Sequence, residues 1–360
     1  MLPAGRAPGG RPFGVLQVEL TTSCPLCCRM CPRSGQQGWR TGIMPIDRLR
    51  RLAAEFHLAE AVVLSGWGEP LAYPHLEEAV RLVAEAGARP GFVTSGQGLF
   101  AERAGSLVGA GLDFMGFSLA GTTAAVHERI RVGSTFEEVK EAVRTIVAAK
   151  IRLGSTRPRL HLVYLMLREN LEDLPALPAL AQELGVPEVM LTHLILMTSL
   201  WQGSQSVFSC GGAREEVEER EEILRAVEVS AKKLQVRLTR PPLLPTGPAV
   251  CGENPLANLY VSVEGRVSPC VYLQPPVASG ADMIFCGQRQ ALAPLDFGNV
   301  DEELLKAIWA AGPYREFRES FRRRLAQASP PPIFGGRRSG RGAHSPPPMP
   351  CRTCHKILGF

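Results

Sequence analysis

The stretch Cys24-Pro25-Leu26-Cys27-Cys28-Arg29-Met30-Cys31 determines how the rest of this 360-residue chain is interpreted, because it holds four of the chain's ten cysteines. Two interpretations of its spacing compete. Two CxxC pairs would form a zinc site, but no loop separates them, and four thiolates on so short a turn cannot readily surround one ion as a tetrahedron. The spacing C-x3-C-x2-C, with Cys24, Cys28 and Cys31 as ligands and Cys27 as a spacer, suits an iron–sulfur cluster instead.

The number of thiolates bears on what such a cluster could do. Three thiolates leave one iron of a [4Fe–4S] cubane without a protein ligand. An open iron in a cluster that can donate an electron is a catalytic arrangement, whereas a cage of four cysteines is structural or transfers electrons. Residues 15–20, which precede the loop, are typical of a β-strand, so the cysteines follow the end of a strand.

Short β-branched runs alternate with amphipathic segments from residue 14 to about residue 195. Strands are predicted at 14–20, 61–65, 91–94, 114–119, 160–166 and 188–193, and helices at 46–56, 76–86, 100–110, 136–149 and 174–184. Repeated strand–helix units predict parallel strands with right-handed crossovers. The expected fold is therefore α/β, a partial (β/α)6 TIM-like barrel whose ligand site lies at the C-terminal ends of its strands.

A cysteine loop after the first strand of such a barrel resembles the radical S-adenosylmethionine (SAM) superfamily, which has this partial barrel. The resemblance implies that Cys24, Cys28 and Cys31 hold a catalytic [4Fe–4S] cluster whose open iron chelates SAM. In that family the reduced cluster breaks the sulfonium C–S bond of SAM. The resulting 5′-deoxyadenosyl radical then abstracts a hydrogen atom from a substrate.

The turns after the next strands resemble the SAM-binding motifs of the family. Gly66-Trp67-Gly68-Glu69-Pro70 is similar to its GGEP motif, which holds the SAM amino group, although Trp67 replaces one glycine. The turn at 94–98 resembles its TNG turn near the SAM ribose, and the turn at 117–121 resembles its SxDG turn, with Ala120 where an acidic residue is common. Arg131, in a segment like "HxxIRG", could pair with the SAM carboxylate. The implied SAM contacts are Gly66, Gly68, Glu69, Ser95, Ser118 and Arg131.

Other interpretations of these residues stay open. The glycine turn also suits the start of a helix without any ligand. The arginines at 129 and 131 also suit a solvent-exposed helix end, and His127 is expected to be structural. Thr192 and His193 are candidates for the adenine side of the pocket.

A second set of cysteines lies in the C-terminal third. Cys251 and Cys270 flank a predicted β-hairpin that turns at Glu264-Gly265, and Cys351 and Cys354 form a CxxC pair. These four thiolates could bind a closed [4Fe–4S] cluster or zinc. The pattern resembles the SPASM extension of radical SAM enzymes in its shortened "twitch" form, which implies one auxiliary cluster. Cys27, Cys210 and Cys286 remain as buried or incidental thiols, with Cys286 as a possible substitute ligand.

Composition sets the remaining expectations. The boundaries expected are a disordered tail at 1–13, the barrel at 14–236, a small α+β cluster-binding domain at 237–326, a disordered Pro/Gly/Arg-rich insertion at 327–350 and the last cluster ligands at 351–360. The net charge of +5 is concentrated in one arginine-rich stretch, so nucleic-acid binding is not indicated.

No apolar stretch of the sequence suits a membrane span or a signal peptide. Reduced, clustered cysteines favour the cytoplasm.

The leading hypothesis is a radical SAM enzyme that acts on a peptide or protein, supplied with electrons by a flavodoxin- or ferredoxin-like reductant. Some relatives of this architecture instead serve the maturation of tungsten or molybdenum oxidoreductases or their cofactors. A hypothesis of another class is a non-enzymatic iron–sulfur or zinc protein. Under that hypothesis the glycine turns at the strand ends would have no ligand to bind.

Overall fold

The computed structural model describes residues 10–35, 38–277, 281–328 and 345–360. The strands are β1 Phe13–Val18, β2 Ala59–Val63, β3 Arg89–Thr94, β4 Phe114–Leu119, β5 Arg159–Met166, β6 Glu188–His193, β7 Arg237–Thr239, β8 Leu259–Val261, β9 Val267–Ser268, β10 Asp282–Phe285 and β11 Gln288–Ala291. The helices are α1 Pro32–Gly35, α2 Ile46–Ala53, α3 Leu76–Glu85, α4 Ala101–Gly109, α5 Ala124–Ile130, α6 Phe136–Arg152, α7 Leu177–Glu183, α8 Leu200–Ser204, α9 Glu218–Lys233, α10 Leu305–Ala310 and α11 Gly312–Ala328. Across these described ranges, no helix has the length and apolarity needed to cross a bilayer.

Parts of two predicted segments lie outside the described residues: 1–9 of the N-terminal tail, and 329–344 of the Pro/Gly/Arg-rich insertion. The described residues of the tail and of the insertion form hydrogen bonds with other residues of the chain. The Arg11 guanidinium donates to the Ala59 carbonyl at 2.6 Å. Within the described part of the insertion, the Ser345 N–H donates to the Gln327 side chain at 2.7 Å.

One sheet of nine strands forms the centre of the fold, in the order β7-β6-β5-β4-β3-β2-β1-β8-β9. Strands β1 to β6 pair with their neighbours in parallel and in sequence order. Helical segments between them bury apolar faces, as α6 does with Phe136, Val139 and Ile146. The structure thus confirms the predicted α/β fold, and the carboxyl ends of the six strands lie along one edge.

The sheet also contains β7, which the local patterns do not predict, and a pairing of β8 with β1 that they do not predict either. β7 adds to β6 in parallel, and β8 adds in parallel to the other side of β1, with Leu16 opposite Leu259. β8 and β9 then form the antiparallel hairpin predicted around Gly265. Parallel pairing of segments more than two hundred residues apart leaves no local signal, which is why β8 could not be placed from sequence. The cluster-binding segment therefore shares the sheet of the barrel.

A buried carboxylate joins the C-terminal helices to the start of the barrel. Glu55 follows α2, and its two carboxylate oxygens accept from the backbone N–H groups of Leu305 and Lys306 at 2.7 and 2.9 Å. These residues form the first turn of α10, whose own N-cap, Leu304, provides no side-chain hydrogen bond. Glu55 therefore caps this helix from a distant part of the chain.

Replacing Glu55 with alanine should lower the free energy of unfolding by about 2 kcal/mol, because two buried N–H donors lose their acceptor. Urea denaturation followed by tryptophan fluorescence measures this change. Glu102→Ala, in the exposed first turn of α4, is the matched control and should change stability by at most about 0.5 kcal/mol. Equal losses in the two variants would contradict the capping role.

Candidate active site

The cysteine loop lies at the carboxyl end of β1 and is held by backbone hydrogen bonds on two sides. The Cys27 N–H donates to the Val132 carbonyl at 2.9 Å, and the Glu69 N–H donates to the Ser23 carbonyl at 2.9 Å. The segments that follow β2 and α5 therefore form the walls of the loop. This is the edge of the sheet that the sequence predicts for the site.

Burial separates the three proposed ligands from the spacer. Cys28 is buried and Cys24 and Cys31 are half-buried, whereas Cys27 is exposed. Burial raises the pKa of Cys24, Cys28 and Cys31, and the charges of neighbouring thiols add to the rise. The Arg131 guanidinium counteracts this rise at Cys28, so it lies close to that thiol. Ligation by metal would therefore be needed to hold these thiols as thiolates near neutral pH.

The spacing of the sulfur atoms argues against a single zinc ion. Sulfur ligands at about 2.3 Å from a tetrahedral zinc would lie about 4 Å from one another. Among the described residues, Cys24, Cys28 and Cys31 are not among the groups whose ligand atoms all lie within 4.8 Å. The wider spacing fits a cubane, in which each thiolate binds a different iron.

The two glycines of the turn after β2 pack against the cysteine loop. A Cβ atom on Gly68 would lie 2.3 Å from the Thr21 carbonyl oxygen and 2.6 Å from that of Ser23. A Cβ atom on Gly66 would lie 2.4 Å from the Glu19 side chain. Both glycines are therefore required for the turn and the loop to approach each other, whether or not they also contact SAM.

Glu69 is fixed in orientation by its neighbours. One carboxylate oxygen accepts from the Leu71 N–H at 3.1 Å and from the Thr94 hydroxyl, and the other accepts from the Ser95 N–H at 2.8 Å. The side chain is buried, and its charge raises the pKa of Cys24. A carboxylate has about four acceptor sites, so Glu69 keeps the capacity to accept from an ammonium group beside the cysteine loop.

Three buried polar atoms near the cysteines have no hydrogen-bond partner among the described residues: Ser95 Oγ, Arg131 Nε and Arg33 Nε. Buried donors are rarely left unpaired in native proteins. A ligand with hydroxyl and carboxylate groups would satisfy them, so these residues fit SAM. Ser118, the remaining predicted contact, is half-buried near the carboxyl end of β4.

Two residues that interact with the cysteine loop were not identified from the sequence. Arg33 lowers the pKa of Cys24, Cys28 and Cys31 by its charge, and its position two residues after Cys31 could have indicated it. The Gln202 amide donates to the Cys31 carbonyl at 3.2 Å. Gln202 comes from α8, far along the chain, and no local pattern points to it.

Thr192 and His193, the candidates for the adenine side of the pocket, already have hydrogen-bond partners within the protein, and so has His127. The Thr192 hydroxyl donates to the Tyr164 carbonyl at 3.3 Å, and His193 Nε2 lies 3.0 Å from the Pro242 carbonyl oxygen. His127 is fully buried, with Nε2 3.1 Å from Ser134 Oγ. Burial, with a contribution from the Arg131 charge, lowers its pKa to about 3. These contacts agree with a structural role for His127.

Glu19, five residues before Cys24, joins the turn after β2 to the C-terminal hairpin. Its carboxylate oxygens accept from the Trp67 N–H at 2.8 Å and from the Val263 N–H at 3.3 Å. Burial raises the pKa of Glu19 to about 7, although these hydrogen bonds oppose the rise. The Trp67 ring packs edge-on against Trp39 and Tyr272, at 5.8 and 6.2 Å. Trp67 therefore serves a packing role between the turn and the C-terminal segment.

The second predicted set of cysteines comes from two parts of the chain, and its thiols lie near enough to one another for their charges to interact. Cys251 and Cys270 are half-buried at the two sides of the β8–β9 hairpin, and Cys351 and Cys354 approach from the C-terminus. Burial raises the pKa of Cys251 to about 12, and that of Cys270 is raised by burial and by the other three thiols. Among the described residues these sulfurs also form no group within 4.8 Å. Their spacing favours a cubane over zinc.

Two of the three leftover cysteines are bonded to each other. Cys210 and Cys286 form a disulfide, so the expectation of incidental thiols is wrong for this pair. The β10–β11 hairpin carries Cys286 back to α8 and the loop after it, a contact between residues 76 positions apart. No sequence spacing could have indicated that contact.

Comparison with known proteins agrees with this geometry. The family model of the radical SAM superfamily matches residues 18–181, and that of the SPASM iron–sulfur cluster-binding domain matches residues 251–332. The second match contains Cys251 and Cys270 and ends before Cys351.

Three similar proteins illustrate the range of relatives. The tungsten-containing aldehyde ferredoxin oxidoreductase cofactor-modifying protein of Pyrococcus furiosus is 25% identical over 318 residues, covering 84% of this chain and 82% of that protein. A probable GTP 3′,8-cyclase of Metallosphaera sedula is 29% identical over 276 residues, covering 73% and 82%. The structure of anSMEcpe with bound AdoMet and Cp18Cys peptide has a TM-score of 0.60 at 13% identity, covering 85% and 83%. The last likeness concerns the fold alone.

The Glu19 contact predicts a pH dependence. A carboxyl with a folded-state pKa near 7 and an ordinary unfolded-state pKa binds more protons in the folded state, so stability falls as pH rises between those values. Between pH 6 and 7 the wild type should lose about 1 kcal/mol relative to Glu19→Gln, which cannot titrate. Urea denaturation at several pH values measures the difference. A difference that stays constant with pH would contradict a raised pKa.

Proposed function

Because this chain belongs to the radical SAM superfamily and carries a SPASM domain, we propose that Cys24, Cys28 and Cys31 hold the [4Fe–4S] cluster at which SAM is cleaved. When bound and reduced, this cluster supplies the electron that converts SAM to methionine and a 5′-deoxyadenosyl radical, which abstracts hydrogen from a substrate. The observation that carries the proposal is the enclosure of three spaced thiols by Glu69, Ser95 and Arg131.

The residues around the thiols have distinct tasks in this proposal. Glu69, held by the hydroxyl and N–H groups of its neighbours, accepts from the SAM ammonium group. The unpaired Arg131 Nε donates to the SAM carboxylate, and the unpaired Ser95 hydroxyl donates to the ribose. Gly66 and Gly68 keep the turn against the loop, and Ser118 lines the pocket from β4. The chain thereby orients the cofactor before the electron arrives.

The second set of cysteines completes the proposed electron path. Four thiolates, Cys251, Cys270, Cys351 and Cys354, would fill every iron of an auxiliary [4Fe–4S] cluster, so its role is electron transfer or substrate positioning. We assign the incoming electron to an external reductant of the flavodoxin or ferredoxin type.

Two classes of substrate are candidates. A peptide or protein side chain is the substrate that the likeness to SPASM maturases implies, and the fold is shared with a peptide-bound structure. The second candidate is maturation of a tungsten or molybdenum oxidoreductase or its cofactor. It is favoured by the Pyrococcus relative, whose similarity extends over most of both chains.

The reaction is tested by anaerobic incubation with SAM and a strong reductant. Wild type should form 5′-deoxyadenosine, and Cys28→Ala should reduce the rate by at least about 100-fold, since the cluster loses a ligand. Cys27→Ala is the matched control, one residue away and exposed, and should retain full activity. Wild-type activity in Cys28→Ala, or none in the wild type with iron bound, would exclude the assignment.

The two substrate candidates are separated by supplying each to the active enzyme. Substrate-dependent stimulation of 5′-deoxyadenosine formation by a peptide encoded beside the gene, with a matching mass change in the peptide, supports the first. Stimulation by a tungsten- or molybdenum-pterin oxidoreductase, with a mass change in its cofactor, supports the second. If 5′-deoxyadenosine acquires deuterium from neither candidate when each is deuterated at its non-exchangeable positions, both candidates are rejected.

A further inference from the structure

Three side chains outside the two cysteine sets converge at one point. Cys210, Cys286 and His355 each bring one ligand atom within 4.8 Å of the other two. In the part of the chain that the structure describes, this is the one group of three histidine, cysteine or acidic residues with that spacing. The two sulfur atoms are bonded to each other as a disulfide, and His355 lies beside them, so the three side chains share one small space.

The three residues reach this point from separate elements. Cys210 lies in the loop after α8, and Cys286 lies in the turn between β10 and β11. The β10 strand is fixed to the barrel by the Ile284 N–H, which donates to the Met197 carbonyl at 2.7 Å. His355 follows Cys354 directly, so the same C-terminal turn serves the auxiliary set and this group.

The backbone at Cys286 indicates a specific requirement for this side chain. Cys286 has φ of 49° and Gly287 has φ of 79°, which makes the β10–β11 connection a tight hairpin turn. Such turns strongly prefer asparagine, aspartate or glycine at the first position. A cysteine with positive φ is strained, and residues held in this way cluster at functional sites.

His355 is oriented as a metal ligand would be. Its Nδ1 lies 3.0 Å from the Ile195 carbonyl oxygen, which can only accept, so Nδ1 carries the proton and Nε2 keeps its lone pair. Nε2 faces Cys286 and accepts its backbone N–H at 3.2 Å. Phe208 and Phe285 hold the ring, with centroids at 5.1 and 5.0 Å.

The structure holds Cys210 and Cys286 as a disulfide, which is the oxidised state of the pair. The cysteines of the other two sets must be reduced to bind iron, so the working protein exists in reducing conditions that favour the dithiol. Reduction by a small dithiol breaks the S–S bond, transfers two electrons and adds two protons. The two thiols then release those protons when they bind a divalent cation.

We propose that Cys210, Cys286 and His355 form a third metal site, which binds one zinc ion when the pair is reduced. Two thiolates and an imidazole are a preferred ligand set for zinc, and three protein ligands leave the fourth position open. Nε2 exchanges its hydrogen bond from Cys286 for the metal. The open position faces a cavity of about 260 Å³ that Arg168, Ser209 and Glu216 also line. Water or an anionic group of a substrate would fill it.

The test measures zinc and iron in anaerobic, iron-replete protein equilibrated with zinc and then dialysed. The reduced wild type should retain about one zinc per chain in addition to about eight irons. The oxidised wild type should retain none, because the disulfide has no free thiolate. Cys210→Ser and Cys286→Ser should each lose the zinc while keeping iron and 5′-deoxyadenosine formation. Cys27→Ser controls for an exposed thiol and should keep the zinc.

Three results would reject the zinc site. Zinc absent from the reduced wild type, zinc retained by both serine variants, or zinc equally bound by the oxidised protein would overturn it. The comparison of reduced with oxidised wild type needs no variant, so it stands even if a substitution prevents folding. Iron content and 5′-deoxyadenosine are measured on the same samples. Failure of the zinc site is therefore distinguishable from failure of the radical SAM assignment.

Discussion

The buried Glu19 carboxylate is the contact on which the arrangement of the site depends. It accepts from the Trp67 N–H on one side and the Val263 N–H on the other, and so joins the turn after β2 to the C-terminal hairpin. Gly66 has no room for a side chain because Glu19 occupies the space. Burying this group is costly, as its raised pKa shows. The cost is offset only when the turn, the cysteine loop and the hairpin occupy their places together.

The sheet order extends this coupling over a longer distance. β1 leads into the cysteine loop and is paired on both sides, by β2 and by β8. β8 continues through its hairpin to Cys270. The cysteine loop after β1 and Cys270 after β9 are therefore both attached to one sheet. A connection of this kind fixes the position of Cys270 relative to the loop that holds Cys24, Cys28 and Cys31.

The local sequence pattern predicts the strands and helices whose signals lie within a few neighbouring residues. The strands at 114–119 and 188–193 have the bounds predicted, since alternating burial and flanking turns mark them clearly. The helix predicted at 46–56 ends at Ala53 instead, and a short 3-10 turn follows. The three cysteines are recognisable from their close spacing, and Glu69 from the glycine turn in which it stands after a predicted strand.

The features that sequence does not predict are those that depend on distant contacts. Glu19 lies inside an apparent strand, and only the fold reveals that it meets Val263, 244 residues later. Gln202 reaches the cysteine loop from α8, 171 residues away in sequence. A polar residue in such a position has no periodicity or motif to mark it, because its partner is set by tertiary packing.

The end of the chain shows how one short segment can serve two sites. Thr246 donates its N–H to the Leu358 carbonyl at 2.9 Å, and Phe360 stacks on Phe208 at 4.0 Å. A Cβ atom on Gly359, whose φ is 104°, would overlap the Thr246 hydroxyl, so the chain passes that point only as glycine. Held on both sides, the final turn cannot shift without displacing Cys354 and His355 together. Adjacent residues that face different groups of cysteines thereby couple the geometry of one group to that of the other.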